Sequence, residues 1–445
     1  MKNEYTTLAR LFHADRSSDA VKHHDDLVKA RLEADSTFRT GIITPLGELF
    51  IATPAAMSRS VEDILLTERR IGDLWSQLPA RVKTQYVRTF AAREIQATSE
   101  MEGINCNPEE AVQAVAMACG DQTSQSPRRR GPKQGDGTRF VGLARLYMGL
   151  CEESVDMPRS LEDLSRIYED VSGKGLVGDG QKEGPSADGQ ADEAQPGAGP
   201  DEGDRKQAGS EEEGTSRNAV GRGQVDLNVL LTEMIGLVQS DAVPNLQSGI
   251  ASHFLFEYMQ PNHEGNGQVG RYLLALGLNR VLTRPTTLTL SQVINEHRST
   301  YRRALAEAED RINAGELTFF VMTMLDLIGM AQEELANELG LKTDQLVKAC
   351  DLSRTLSSEH ELTDKASTIL CSVMQGELFG SATPIDLDEA SDLVRMKKQT
   401  TRKYIDELDR NGFVSFTCRR PLKFRGSDTL REQMGLCTEG SYPME

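Results

Sequence analysis

The chain has 445 residues, 27% of them charged, and a formal net charge of −18. That length allows two or three domains around a sizeable core, and the acidic balance excludes general coating of nucleic acid while leaving room for one local basic patch. Seven scattered cysteines without a Cys-x-x-Cys pair exclude a zinc ribbon or disulfide framework and point to a reducing compartment. No apolar leader follows Met1, and the most apolar run, 319–328, is too short for a membrane span and carries Asp326. A soluble, cytoplasmic protein with no membrane partner is expected.

Residues 1–40 form a polar, helix-prone segment. Its His23-His24-Asp25-Asp26 cluster reads as a solvated face, because adjacent residues do not share a helix face and cannot close on a metal. Residues 41–171 read as helices. Leu65, Ile71, Leu74 and Leu78 fall at helical spacing, and Pro79 ends that run. A second helix covers about 80–100 and runs into Thr98-Ser-Glu-Met-Glu102-Gly103, where Gly103 reads as a helix cap and Glu102 as a surface acid. Residues 121–138 are a loop whose Arg128-Arg129-Arg130 run is either solvated or binds an acidic partner. Helices follow over 140–151 and 161–171. Residues 172–224 are rich in Gly, Asp, Glu, Pro and Gln, and no Phe, Trp or Tyr lies between Tyr168 and Phe254. Such a stretch buries too little apolar surface to offset its chain entropy, so it reads as a disordered acidic insertion.

Residues 225–337 carry the most informative stretch, Gln260-Pro-Asn-His-Glu-Gly-Asn-Gly-Gln-Val-Gly-Arg271, between helices predicted over 247–259 and 266–282. Gly265, Asn266 and Gly267 at a helix start leave backbone N–H groups unpaired where the helix dipole favours an anion. Glu264 offers a hard oxygen to Mg²⁺, which usually accompanies phosphate. Arg271 lies one turn beyond Gly267 and can point at the same anion. A plain helical hairpin would use the same glycines and asparagine for its turn alone. Residues 285–291 read as an extended link, followed by helices over 291–309 and 315–337.

Residues 338–362 read as a connector and 431–445 as a tail. Between them, 363–430 has the order helix, helix, basic helix, hairpin of a small α+β winged helix-turn-helix domain. Lys397, Lys398, Arg402 and Lys403 gather at the start of its third helix, and Arg419 and Arg420 on the wing. Those positions suit duplex DNA. A winged helix used for protein contacts or as a homodimer interface fits the pattern equally.

The 260–271 stretch resembles the core motif of the Fic (Fido) family, His-Pro-Phe-x-(Asp/Glu)-Gly-Asn-Gly-Arg-x-Gly-Arg. Pro261, Glu264, Gly265, Asn266, Gly267, Gly270 and Arg271 match it. Gln260 stands at the place of the catalytic His, Asn262 at that of the Phe, and Gln268 at that of the first Arg. The family's inhibitory helix carries (Ser/Thr)-x-x-x-Glu-(Gly/Asn), which Thr98, Glu102 and Gly103 match. The resemblance covers about 40–337 and implies a mainly α chain, a Fic-type helical bundle with a disordered insertion. It also implies AMP transfer from ATP with Mg²⁺ to a hydroxyl of a protein target. The pairing of Glu102 with Arg271 in the space of the γ-phosphate, and a target-docking flap near 218–225, are implied as well. A glutamine cannot take up a proton at neutral pH, so the departure at Gln260 implies a weak or inactive transferase that binds nucleotide or regulates. His263, His253 and Glu102 are the candidates for a substitute proton-transfer group. A DNA-binding regulator with a Fic-like sensor is the alternative from another class.

Overall fold

The computed structural model describes residues 5–120, 139–150, 155–173, 175–176, 227–262, 264–378 and 384–436. His263, the 121–138 loop, the 218–225 flap segment and nearly all of the 172–224 insertion lie outside them.

The chain starts with α1 (Leu8–Ala14) and α2 (Ala20–Leu32), then an antiparallel hairpin of β1 (Thr37–Thr44) and β2 (Gly47–Ala52). The hairpin corrects the sequence reading, which has a helix-prone segment to residue 40 and helices beyond it. A register shift between Arg39 and Ile43 breaks the alternation that would have revealed the strands. The hairpin is stitched to a distant part of the chain. Phe50 N–H donates to the Gly315 carbonyl at 3.2 Å, and Leu317 N–H donates to the Phe50 carbonyl at 2.9 Å. Buried Glu316 adds an acceptor for Tyr5 (2.6 Å) and Arg31 (2.7 Å).

Two long helices follow, α3 (Ala55–Gln77) and α4 (Ala80–Met101). On α3 the inward residues are Met57, Ile64, Glu68 and Ile71, whereas Leu65 is exposed. Buried Glu68 accepts from Thr283 N–H at 2.7 Å and from the Thr286 hydroxyl and the Gln332 amide, so its carboxylate is fully used. Next come α5 (Pro108–Ala118), α6 (Val141–Gly149), α7 (Leu161–Ser172) and α8 (Leu227–Gln239). The centre of the bundle is α9 (Asn245–Met259) and α10 (Asn266–Leu278). Both are buried on almost every face, as a helix apolar all round must be.

The stretch read as an extended link is helical instead, with α11 (Arg284–Thr287) and the start of α12 (Leu290–Glu296). Glu68 receives the N–H of Thr283 and Glu94 that of Ser291 (2.9 Å), so acids from α3 and α4 satisfy donors that helix starts leave unpaired. After α13 (Arg298–Ala308) and a 3₁₀ turn over Arg311–Asn313 comes α14 (Thr318–Glu359), 42 residues long. It absorbs most of the 338–362 connector into one continuous helix.

The C-terminal part has a core of its own, including Ile369, Leu370, Val373, Ile405, Leu408 and Phe424. It is built from α15 (Asp364–Leu378), β3 (Ile385–Asp386), α16 (Leu387–Val394), α17 (Lys398–Arg410), β4 (Val414–Arg419), β5 (Leu422–Gly426) and α18 (Asp428–Gln433). The strands form one antiparallel sheet in the order β3-β5-β4, the layout of a winged helix. The fold is mainly α, with a small α+β part. Among the described residues no helix is long and apolar enough to cross a membrane.

Candidate functional site

The α9–α10 connection is a tight loop set by two residues in the left-handed region. Gln260 ends α9 with φ 45°, and Gly265 opens α10 with φ 81°. A non-glycine residue at positive φ is uncommon and marks a place where the surroundings over-determine the backbone. Asn266 clips the loop. Its Oδ1 accepts from the Tyr168 hydroxyl at 2.7 Å and from Asn262 N–H at 3.0 Å, and its amide donates to the Asn262 carbonyl. The Asn266 side chain is therefore occupied inside the protein, and only its backbone can serve a ligand.

The end of α4 lies over the start of α10. Glu102 caps α4, and Gly103 follows at φ 71° in a Schellman turn: Gly103 N–H donates to Glu100 O at 3.0 Å and Ile104 N–H to Ser99 O at 2.9 Å. This turn aims the Glu102 side chain at α10. Its Oε1 accepts from Arg271 Nη2 at 2.7 Å, and it stands so close to Gly267 that an added Cβ there would lie 1.9 Å from it. Arg271 is buried. It also donates from Nε to Thr98 Oγ1 (2.7 Å) and from Nη2 to the Thr98 carbonyl (3.0 Å). Burial opposes its charge, but the carboxylates of Glu102 and Glu257 outweigh that and raise its pKa. Gln268, also buried, donates to Ser99 Oγ at 3.1 Å. Thr98, Ser99 and Glu102 of one helix thus hold Arg271 and Gln268 of another.

An open cavity of about 860 Å³ faces this contact, with Glu102, Gln260, Glu264, Gly265, Gly267 and Gln268 among its walls. Gln260 and Glu264 are exposed. The lining is acid-rich: Glu102, Glu169, Asp170, Glu257 and Glu264 are set against Arg139. Among the described residues no group of three or more His, Cys, Asp or Glu could by itself hold a metal ion. A lone carboxylate such as Glu264 suits Mg²⁺ only when phosphate oxygens complete the shell, which is how that ion usually binds.

His253 is spent in the core. Its ring nitrogens meet the Gly270 carbonyl at 3.1 Å and the Tyr301 hydroxyl at 2.9 Å, and burial pushes its pKa down to about 3. It is a neutral packing residue and no base.

Sequence reasoning passed over Glu257. It lies one turn before Gln260, lines the same cavity, and its Oε1 is buried without a hydrogen-bond partner. The signal was an acid inside the apolar run Phe254-Leu-Phe-Glu-Tyr-Met259, on a helix otherwise buried along most of its length.

The basic residues of the winged helix are at the surface. Lys397 caps α17, and Lys397, Lys398, Arg402, Lys403, Arg419 and Arg420 are all exposed. Lys398 pairs with Asp388 of α16, and Arg419 lies over the Phe416 ring, 5.6 Å from its centroid. The opposite face of α17 buries Thr401, Ile405 and Leu408. Arg81 near the start of α4 pairs with Glu389 of α16 at 3.1 Å.

The chain is similar to a Fic family protein from Desulfovibrio desulfuricans G20 with a known crystal structure. The two are 18% identical, with a TM-score of 0.43, over 85% of this chain and 97% of that one. No family model matches the chain, and no curated protein matches it. A likeness so distant leaves the weight on the residues themselves.

Proposed function

We propose that this chain is a Fic-type nucleotide-binding protein, similar to enzymes that move AMP from ATP to a protein hydroxyl, and that Glu102 holds its site closed. The observation that carries this reading is the seat of the Glu102 carboxylate. It lies over Gly267 at the start of α10 and is bonded to the buried Arg271. A helix start and an arginine together form an anion site, and here an internal carboxylate fills it. A phosphate oxygen would take the same place once Glu102 leaves.

The remaining parts fit that role. Gly265 and Gly267 leave the backbone of the loop open to the cavity. Glu264 would hold Mg²⁺ together with phosphate, and the ion would neutralise charge that the acid-rich lining cannot. Gln260 occupies the place of the usual base and can orient a hydroxyl but take no proton. The decisive experiment is AMP transfer from ATP labelled at the α-phosphate, onto the protein itself and onto a lysate, beside calorimetric titration with ATP and Mg²⁺. Binding without transfer would leave a nucleotide sensor; neither binding nor transfer would remove the reading.

A second reading concerns α17 and the wing. Their exposed cations suit the phosphates of duplex DNA, although Asp388 already neutralises Lys398. Binding that weakens steeply with salt supports it. If no duplex is bound at low salt, the domain is a protein-contact or homodimer surface.

A further inference from the structure

We infer that Glu257 is the proton-accepting group of this site and replaces the base that Gln260 cannot supply. The inference rests on the nucleotide-transfer reading above and adds a residue to it.

The geometry is specific. Glu257 is in the last turn of α9, three residues before Gln260, hence about one turn below it. It reaches the cavity wall shared with Glu102, Gln260 and Gly267. Its Oε1 points at α10, into room that a glycine provides: a Cβ on Gly270 would lie 2.6 Å from that oxygen. Glu257 is half-buried with its Oε1 inside, whereas the fully buried glutamates of the bundle have donors. Glu68 receives Thr283 and Thr286, Glu94 receives Ser291, and Glu316 receives Tyr5 and Arg31. Those acids are structural ties. Among the described residues Glu257 Oε1 has no such tie, and a buried acceptor left without a partner costs stability. A group kept at that cost beside an anion site is a candidate for chemistry.

The surroundings set its proton affinity. Burial raises it to about 7, Arg271 opposes the rise, and Glu102 and Glu309 add to it. Tyr168 from α7 and Tyr301 from α13 feel its charge. A base that holds its proton about half the time near neutral pH meets the requirement for proton transfer. Glu264 sits in open solvent at the other end of the loop and is left free for the ion.

The hydroxyl oxygen of a target Ser, Thr or Tyr bonds to the α-phosphorus of ATP, and its proton passes to the Glu257 carboxylate. The bond from that phosphorus to the oxygen bridging toward the β-phosphate breaks, and pyrophosphate leaves with the electron pair. Glu257 then returns its proton to water.

The test uses the full chain carrying Glu102→Ala, compared with the same chain carrying also Glu257→Gln or Glu257→Asp. Calorimetry with ATP and Mg²⁺ should show both variants binding no more than about threefold more weakly than the parent, because both keep Arg271 and the Gly265 and Gly267 backbone, and losing the Glu257 charge beside Arg271 does not disfavour an anion. AMP transfer should fall at least ~100-fold with glutamine and far less with aspartate. The parent rate should rise with pH through a midpoint above the ordinary carboxylate range, where burial holds Glu257 even without the Glu102 charge, and that rise should vanish with glutamine and persist with aspartate. A readout independent of activity is melting temperature against pH. The folded pKa of Glu257 is raised above 4.5, so its contribution to stability is present at low pH and lost as pH rises toward 7. Glutamine should flatten that part of the profile. Equal transfer by the parent and the glutamine variant, or an unchanged pH midpoint, overturns Glu257 while leaving the nucleotide reading intact. ATP binding by the parent without transfer at any pH also overturns it. A parent that neither binds ATP nor transfers AMP sinks the nucleotide reading, and Glu257 with it.

Discussion

Replacing Glu102 by alanine separates an inhibitory carboxylate from a merely structural one, because only the first predicts a gain in ATP affinity. The pair is buried on one side only: the Arg271 side chain is 3% exposed and that of Glu102 32%. Removing one partner of a fully buried pair costs about 3–5 kcal/mol. Here cavity water can reach the freed Nη2, and Arg271 keeps both Thr98 contacts. The cost should therefore be nearer ~1–2 kcal/mol, by the same comparison with partly solvated pairs. For a cooperative unit of this size that lowers the melting temperature by about 1–3 °C. The same substitution vacates the start of α10, so affinity for ATP with Mg²⁺ should rise at least tenfold, or about 1.4 kcal/mol. Saturating ATP should then raise the melting temperature of the variant more than that of the wild type, by mass action. Thermal melts with and without ATP, beside calorimetric titration, give both numbers. Equal ATP affinity in the two proteins would refute the claim that Glu102 occupies a phosphate site, whatever happens to the melt.

Gly267→Ala should destabilise the fold even though alanine is the better helix former by about 1 kcal/mol, since its Cβ would lie 1.9 Å from Glu102 Oε1 and 2.9 Å from Arg271 Nη2. An unchanged or higher melting temperature would show that Glu102 is not held there. Gln260→His in the Glu102→Ala background should raise AMP transfer at least about tenfold by adding a side chain whose pKa suits proton exchange; a flat response argues that position 260 does not face the reacting hydroxyl. Glu94 is pushed up to about 7, chiefly by burial and against the donors from Ser291 and the charge of Arg271. Its folded pKa exceeds the unfolded one, so its contribution is complete at low pH and disappears as pH rises through about 7. Glu94→Gln keeps an amide oxygen for Ser291 N–H and should melt higher than wild type at pH 8, with a shallower slope from pH 5 to 8. A steeper slope would contradict the burial argument.

The central pair of helices was legible because its signals are local. Apolar runs bounded by Gly265, Asn266 and Gly267 place α9 and α10 to within a few residues, and alternation with a basic helix locates the winged helix. The β1–β2 hairpin was hidden because its partner strands are offset by a bulge and its other contacts come from residues 315–318. The 338–362 stretch read as a connector because exposed Leu341 and Val347 interrupt the apolar period. It holds no proline, and Gly340 alone does not stop a helix, so the chain continues. In the site, short motifs pointed to Glu102, Gly103 and Arg271, but no pattern in sequence tells that Glu257 faces a gap left by Gly270 on the next helix. That fact exists only once two buried helices pack. Asn266 shows the opposite case: the sequence offers it to a ligand, and the fold uses its side chain to hold Tyr168 and Asn262.

The long α14 has a consequence for how this protein melts. It supplies Leu339 to the bundle core and Ala349 to the winged-helix core, and the step from one to the other is only ~15 Å of helix. Two cores that share one rod cannot lose order independently without breaking it, and a helix interrupted in mid-span must renucleate at a cost. The two halves should therefore unfold in a single transition under calorimetry, with an enthalpy that matches its steepness. Inserting a Gly-Pro pair between Leu341 and Val347 would uncouple them and split one peak into two.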